Sequence, residues 1–139
     1  MINFIVEDIE FPDIEQDKIV FWIKQTASVY SKKTGNINYI FCSDKRILEV
    51  NNQYLQHDYY TDIITFDYTQ GNKISGDIFI SLDTVKSNSE EQKTDFYAEL
   101  LRIIIHGVLH LCGQNDKNPV DNAEMTRKEN LAMELFFKS

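Results

Sequence analysis

Glu99-Leu100-Leu101-Arg102-Ile103-Ile104-Ile105-His106-Gly107-Val108-Leu109-His110-Leu111-Cys112-Gly113-Gln114-Asn115-Asp116 is the stretch on which the reading of this chain turns. Its apolar residues are too many for one strand, and its polar ones recur at spacings of three and four, so it reads as the end of a long helix. Gly113 stands where a C′ glycine stops such a helix. The polar residues Glu99, Arg102, His106 and His110 then form one stripe on an otherwise apolar rod. The start of this helix falls at about residue 83 or 94, with internal breaks the pattern does not locate.

Working outward, residues 2–7 are rich in Ile, Phe and Val and read as a first strand. Residues 17–33 carry Ile19, Phe21, Trp22, Ile23, Ala27, Val29 and Tyr30 at helical spacing and should end before Gly35. Residues 36–42 alternate Ile37, Tyr39 and Phe41 against Asn38 and Ile40, a second strand. Ser43 or Asp44 caps a short helix bearing Ile47, Leu48, Val50 and Tyr54. Residues 63–68 and 77–81 are β-rich runs on either side of Gly71 and Gly76, and suit a hairpin. After Pro119, Asp121 and Glu124 form a D-x-x-E capping signal for a last helix with Ala123, Leu131, Leu135 and Phe136. The expected fold class is α+β: a roughly four-stranded mixed sheet packed with about five helices, in one domain over residues 1–139, with a metal site at the end of the long helix.

The chemistry follows from the same stripe. Two imidazoles four residues apart on a helix can reach one ion, and the turn at Gly113 brings Asp116 back as a third ligand. The pattern H-x-x-x-H-x-x-G-x-x-D leaves a fourth position for water, as a catalytic zinc site requires. Two histidines and one carboxylate also suit non-haem iron, though nothing else in the chain suggests an oxygenase. The zinc peptidase pattern H-E-x-x-H needs a general base after the first histidine, where this chain has Gly107. Cys112 falls on the other side of the helix and reads as packing.

The formal net charge of −8 argues against loose, sequence-blind binding of nucleic acid, since 22 acidic residues outnumber the 14 lysines and arginines that would neutralise phosphates. A bound divalent ion would still make its own neighbourhood positive. Cys42 and Cys112 are too few for a disulfide framework and read as buried free thiols. The N-terminus has no basic region before its apolar residues and no run is long enough to span a bilayer, so a cytoplasmic protein without a membrane is expected.

Taken in order, these residues resemble the YbeY family of rRNA maturation endoribonucleases. Its signature H-G-x-L-H-L-x-G-Y-D-H is met by His106-Gly107-Val108-Leu109-His110-Leu111-Cys112-Gly113, followed by Gln114-Asn115-Asp116. Tyr54, Asp58 and Thr61-Asp62-Ile63-Ile64-Thr65-Phe66 are similar to its N-x-x-Y-R-x-K-D-x-x-T-D-V-L-S-F stretch. Gly76-Asp77-Ile78-Phe79-Ile80-Ser81 matches its G-D-I-x-I-S strand, and Glu124, Met125 and Glu129 extend the match towards the end. Two positions depart: Asp116 replaces the usual third histidine, and Leu55 stands where the family carries an arginine, with His57 at the place of a common lysine.

The resemblance implies an α+β fold, one zinc ion on His106, His110 and Asp116, and cleavage of single-stranded RNA. It also implies roles in 3′-end processing of small-subunit ribosomal RNA and in ribosome quality control. Arg102 and His57 are the candidates for phosphate contact or stabilisation of transition-state charge. Tyr59, Tyr60 and Tyr68 are aromatics that could stack on unpaired bases. The expected partners are single-stranded or ribosomal RNA, with ribosomal proteins or assembly factors beside it. Two other readings stand against this one: a metal-dependent peptidase-like hydrolase, and a non-catalytic ribosome assembly factor whose metal is structural.

Overall fold

A computed structural model describes residues 1–55 and 61–138, and of Leu55 only the backbone. The elements are β1 (Ile2–Val6), α1 (Gln16–Val29), β2 (Lys33–Cys42), α2 (Asp44–Leu55), β3 (Ile63–Asp67), β4 (Lys73–Ser81), α3 (Leu82–Gln92), α4 (Phe96–Leu111) and α5 (Pro119–Lys138). The fold is α+β, and the strands form one sheet in the order β1-β2-β4-β3. β1, β2 and β4 run parallel, while β3 is an antiparallel edge strand paired with β4.

Alternation in the strands decides which face each side chain takes. Ile37, Tyr39 and Phe41 of β2 and Ile74, Ile78 and Ile80 of β4 all point to one face. There they bury against Trp22 and Ile23 of α1 and Leu100, Leu101, Ile104 and Val108 of α4. α2 covers part of the other face, where Ile47 and Val50 meet Cys42 and Ile64. Two buried polar groups lock the helices in place: the Tyr39 hydroxyl donates to the Ile104 carbonyl at 2.9 Å, and Trp22 Nε1 donates to the Ala132 carbonyl at 2.7 Å. No helix among the described residues is long and apolar enough to cross a membrane.

Several element boundaries differ from the sequence expectation. The helix expected over residues 17–33 stops at Val29, and Lys33 already belongs to β2, so Gly35 lies inside a strand. A Cβ there would stand 2.4 Å from Ser75 Oγ and 3.1 Å from the Ile74 carbonyl oxygen, so a larger residue needs Ser75 to turn and the neighbouring strand to give. The long helix is two: Lys93 takes a left-handed φ of 57° that ends α3, and Asp95 caps α4 by accepting from the Ala98 N–H at 3.1 Å. The last helix starts earlier than Asp121. Asn118 caps it through the Asp121 N–H at 2.8 Å, which puts Pro119 at the first helical position, where its missing N–H costs nothing. Ser43 is the cap of α2, its hydroxyl accepting from the Arg46 N–H at 3.2 Å.

Candidate metal and active site

α4 delivers the two histidines, and the turn after it delivers the carboxylate. Gly113 adopts φ +101°, its N–H bonds the His110 carbonyl at 3.0 Å and the Gln114 N–H bonds the Leu109 carbonyl at 3.0 Å, a Schellman ending. The chain thus reverses immediately after His110. The short loop to Asn118 is tied again where Asn122 Nδ2 donates to the Asp116 carbonyl at 3.4 Å. Held at both ends, the loop presents Asp116 Oδ2 to His106 Nε2 at 3.3 Å.

The other edge of the His106 ring is fixed from α5. Nδ1 lies 2.7 Å from Glu129 Oε2, and a carboxylate accepts, so the Nδ1 proton is assigned by its partner. Glu129 is itself buried, and its Oε1 accepts from Arg102 Nη1 at 3.1 Å, while Arg102 Nη2 donates to Asn130 Oδ1 at 2.9 Å. In the sequence Glu129 belongs to the family match without an assigned role. The available signal was its place on the buried stripe of α5, Met125, Glu129, Ala132 and Phe136, where a lone carboxylate requires a partner.

A cavity of about 440 Å³ opens beside these groups, lined by Thr61, Asp62, Ile63, Thr65, Ile103, His106, His110 and Asp116. The structure therefore brings all three expected metal ligands to one cavity. Among the described residues no three His, Cys, Asp or Glu side chains stand together as a group that could hold a metal ion. The donor set nonetheless fits an ion: a borderline-soft pair of imidazoles, one hard carboxylate, and an outer carboxylate orienting His106, the usual support of a metal-ligating histidine.

Burial of His106 by itself pushes its pKa down. The Glu129 hydrogen bond and the charges of Glu129, Asp116 and Asp62 outweigh that, and hold it above the ordinary histidine value. Asp62 is likewise raised, mainly by burial, against the opposing bonds from its own N–H and that of Ile63 and the charge of His106.

Arg102, expected at a phosphate, does not line the cavity and reaches it only through Glu129. Glu99 does not join the stripe's function either: its carboxylate accepts from Thr94 Oγ1 at 3.2 Å, at the start of α4. His57, Asp58, Tyr59 and Tyr60 lie outside the described residues. Gly107, which stands where a peptidase would carry its base, has a steric reason. A Cβ there would meet Ile78 Cδ1 at 2.9 Å and Ile63 Cδ1 at 3.3 Å, so with any larger residue α4 keeps this distance from the sheet only if those isoleucine side chains shift.

The profile of the Endoribonuclease YbeY family matches residues 2–136. The chain belongs to the YbeY endoribonuclease family. Similar relatives named Endoribonuclease YbeY include that of Parabacteroides distasonis, 61% identical over 134 residues that cover 96% of this chain and 94% of the relative. Another is that of Phocaeicola vulgatus, 57% identical and covering 97% and 98% of the two chains. A solution structure of a Thermotoga maritima protein superposes with a TM-score of 0.71 over 99% of this chain and 90% of that one, at 24% identity. That last likeness shows the fold. The YbeY family name places this chain among RNA-cleaving hydrolases.

Proposed function

We propose that this protein is a zinc-dependent endoribonuclease that cuts single-stranded RNA during ribosomal RNA maturation and ribosome quality control, in the cytoplasm. One observation carries the reading of the site. Glu129 fixes His106 through Nδ1 and leaves Nε2 facing a cavity that His110 and Asp116 also line. His106, His110 and Asp116 would hold one zinc ion, which when bound supplies Lewis acidity and a water of lowered pKa.

The chain's own groups do the rest. Glu129 keeps the His106 ring in the tautomer and orientation a ligand needs, and Arg102 and Asn130 keep Glu129 in place. Thr61, Asp62 and Thr65 form a polar wall against which a phosphodiester and an attacking water are oriented. Ile63 and Ile103 make the cavity partly apolar, which strengthens the electrostatic contacts inside it. Aspartate in place of a third histidine lowers the ion's acidity, so turnover should be slower than with three neutral ligands. Ribosomal proteins or assembly factors would deliver the RNA end.

The test is cleavage of a labelled single-stranded ribosomal RNA fragment by wild type and His110→Ala, purified in parallel with zinc content measured. Activity in wild type that disappears in His110→Ala supports the reading. Equal traces in both, with zinc in the wild type alone, would sink it and favour an assembly factor with a structural ion.

A further inference from the structure

Side chains alternate across the edge strand β3, so Thr65 lines the cavity just described while its neighbour Phe66 points through to the opposite face of the sheet. There, beyond the reach of α4, lies a second cleft of about 260 Å³ lined by Arg46, Tyr54, Phe66, Tyr68, Asp77 and Phe79. Tyr54 and Tyr68 are 59% and 58% exposed. Tyr54 meets Phe66 edge-on at 5.8 Å, and Phe66 meets Phe79 edge-on at 6.0 Å, so a cluster of aromatic rings forms much of the cleft's wall.

The polar group in this cleft is aimed. Asn3 Nδ2 donates to Asn38 Oδ1 at 2.9 Å, and Asn38 Nδ2 donates to Asp77 Oδ1 at 3.0 Å, a ladder of side chains crossing β1, β2 and β4. The ladder holds one oxygen of Asp77, while among the described residues the other has a long 3.4 Å contact from the Tyr68 hydroxyl. Exposed tyrosines over a strand edge are usually ordinary surface. Here they flank a concave slot with an oriented acceptor, which is how a ligand site is built.

A flat heterocycle bearing N–H donors fits this chemistry. Its faces stack on the rings, and its donors meet the carboxylate. Guanine offers two parallel N–H groups on one edge, whereas uracil places carbonyl oxygens beside its single N–H, and these would face Asp77 unfavourably. Arg46, anchored by Glu7 at 3.2 Å, adds a cation that can stack on a base. We propose that this cleft is a nucleobase subsite preferring guanine, occupied by a nucleotide of the strand whose phosphodiester lies in the His106–His110 cavity. The two clefts sit on either face of an edge strand, so a strand rounding that edge reaches both. The inference rests on the RNA reading above.

The experiment titrates the ¹⁵N-labelled full chain with guanosine 5′-monophosphate and, separately, uridine 5′-monophosphate, reading the Asn38 side-chain amide. The guanine nucleotide should shift that signal with an affinity about tenfold above that of the uridine nucleotide. Asp77→Asn keeps an oxygen for Asn38 but not the charge, and should erase most of that preference. Tyr68→Ala, at an exposed position, should weaken both nucleotides and raise KM for RNA with kcat kept. A silent Asn38 signal, or shifts that both variants leave intact, overturns the subsite, as does an unstructured peptide shifting Asn38 where neither nucleotide does. Wild type that cuts RNA while Asn38 stays silent removes the subsite alone. Nucleotide binding at Asn38 without RNA cleavage supports the subsite and removes the endoribonuclease reading.

Discussion

Glu129 is the residue on which most of the site's geometry depends, because it holds Arg102 with one oxygen and His106 with the other. Glu129→Gln keeps the shape and one acceptor oxygen but loses the charge that faces Arg102 and the Nδ1–H of His106. A zinc site whose histidine loses its carboxylate partner should bind the ion about 10–100-fold more weakly, readable by competition with a chelating dye. Folding stability should fall by about 1–3 kcal/mol in urea denaturation, since a buried charge-assisted bond is lost. Unchanged zinc affinity would mean that His106 is oriented by something other than Glu129. The two thiols give a second test at this scale. Burial pushes Cys42 up to about 12 and Cys112 up to about 11, with Asp8 and Glu7 adding to the first and Lys32 and Lys128 opposing the second. The folded chain therefore keeps its thiol protons where an unfolded chain begins to lose them. The thiols add no pH dependence below the ordinary thiol range, and stability declines as pH rises through it. Iodoacetamide at pH 8 should modify both slowly, Cys42 the slower because it is fully buried, as mass spectrometry of the timed reaction would show. Rapid labelling of Cys42 would mean that the sheet's outer face opens readily.

At the scale of the element, periodicity disclosed what it physically controls and missed what it does not. The end of α4, its histidine stripe and its stop at Gly113 follow from spacing and from one positive-φ residue, and all three were legible. The β3–β4 hairpin was legible for the same reason. The break between α3 and α4 was legible only as a choice of starts at residue 83 or 94, because Lys93 carries the left-handed conformation that glycine usually marks. Arg102 shares the stripe with His106, but spacing cannot say that α5 supplies a carboxylate to capture it. Gly107 shows how packing overrides a motif-based reading: its absence of a side chain concerns the distance from α4 to β4 as much as the missing base. Gly107→Ala should gain about 1 kcal/mol of helix propensity and lose about 1–3 kcal/mol to crowding against Ile78. Gly107→Glu, which would restore the peptidase pattern, should lose more than about 3 kcal/mol, because it buries a carboxylate among isoleucines. Urea melts of the two variants test this, and a Gly107→Glu protein as stable as wild type would show that α4 can move away from the sheet.

At the scale of the whole molecule, the strand order β1-β2-β4-β3 brings residues far apart in sequence together, and no local pattern encodes it. The same order puts β3 on the edge, so that Thr65 and Phe66 address opposite faces of a rim rather than the middle of a sheet. Net charge was legible from composition, but its distribution was not, and that distribution sets how RNA would be held. With an overall charge of −8, the arginines nearest the two clefts are already engaged, Arg102 by Glu129 and Arg46 by Glu7 and Glu49. Among the described residues few cations are left there to displace counterions from a backbone, so binding should rest on the ion, the cavity wall and stacking. For a single strand the slope of log affinity against log salt is about −0.7 per phosphate neutralised. Two such contacts predict a loss of only about sevenfold between 50 and 200 mM salt, from about 1.4 times the logarithm of a fourfold change. Fluorescence anisotropy of a labelled, hydrolysis-resistant single-stranded RNA analogue on the zinc-loaded wild type measures that slope directly. A shallow dependence agrees with recognition at two clefts. A loss of a hundredfold or more would place the RNA along a basic surface elsewhere on the chain, and the cavity would then serve a different substrate.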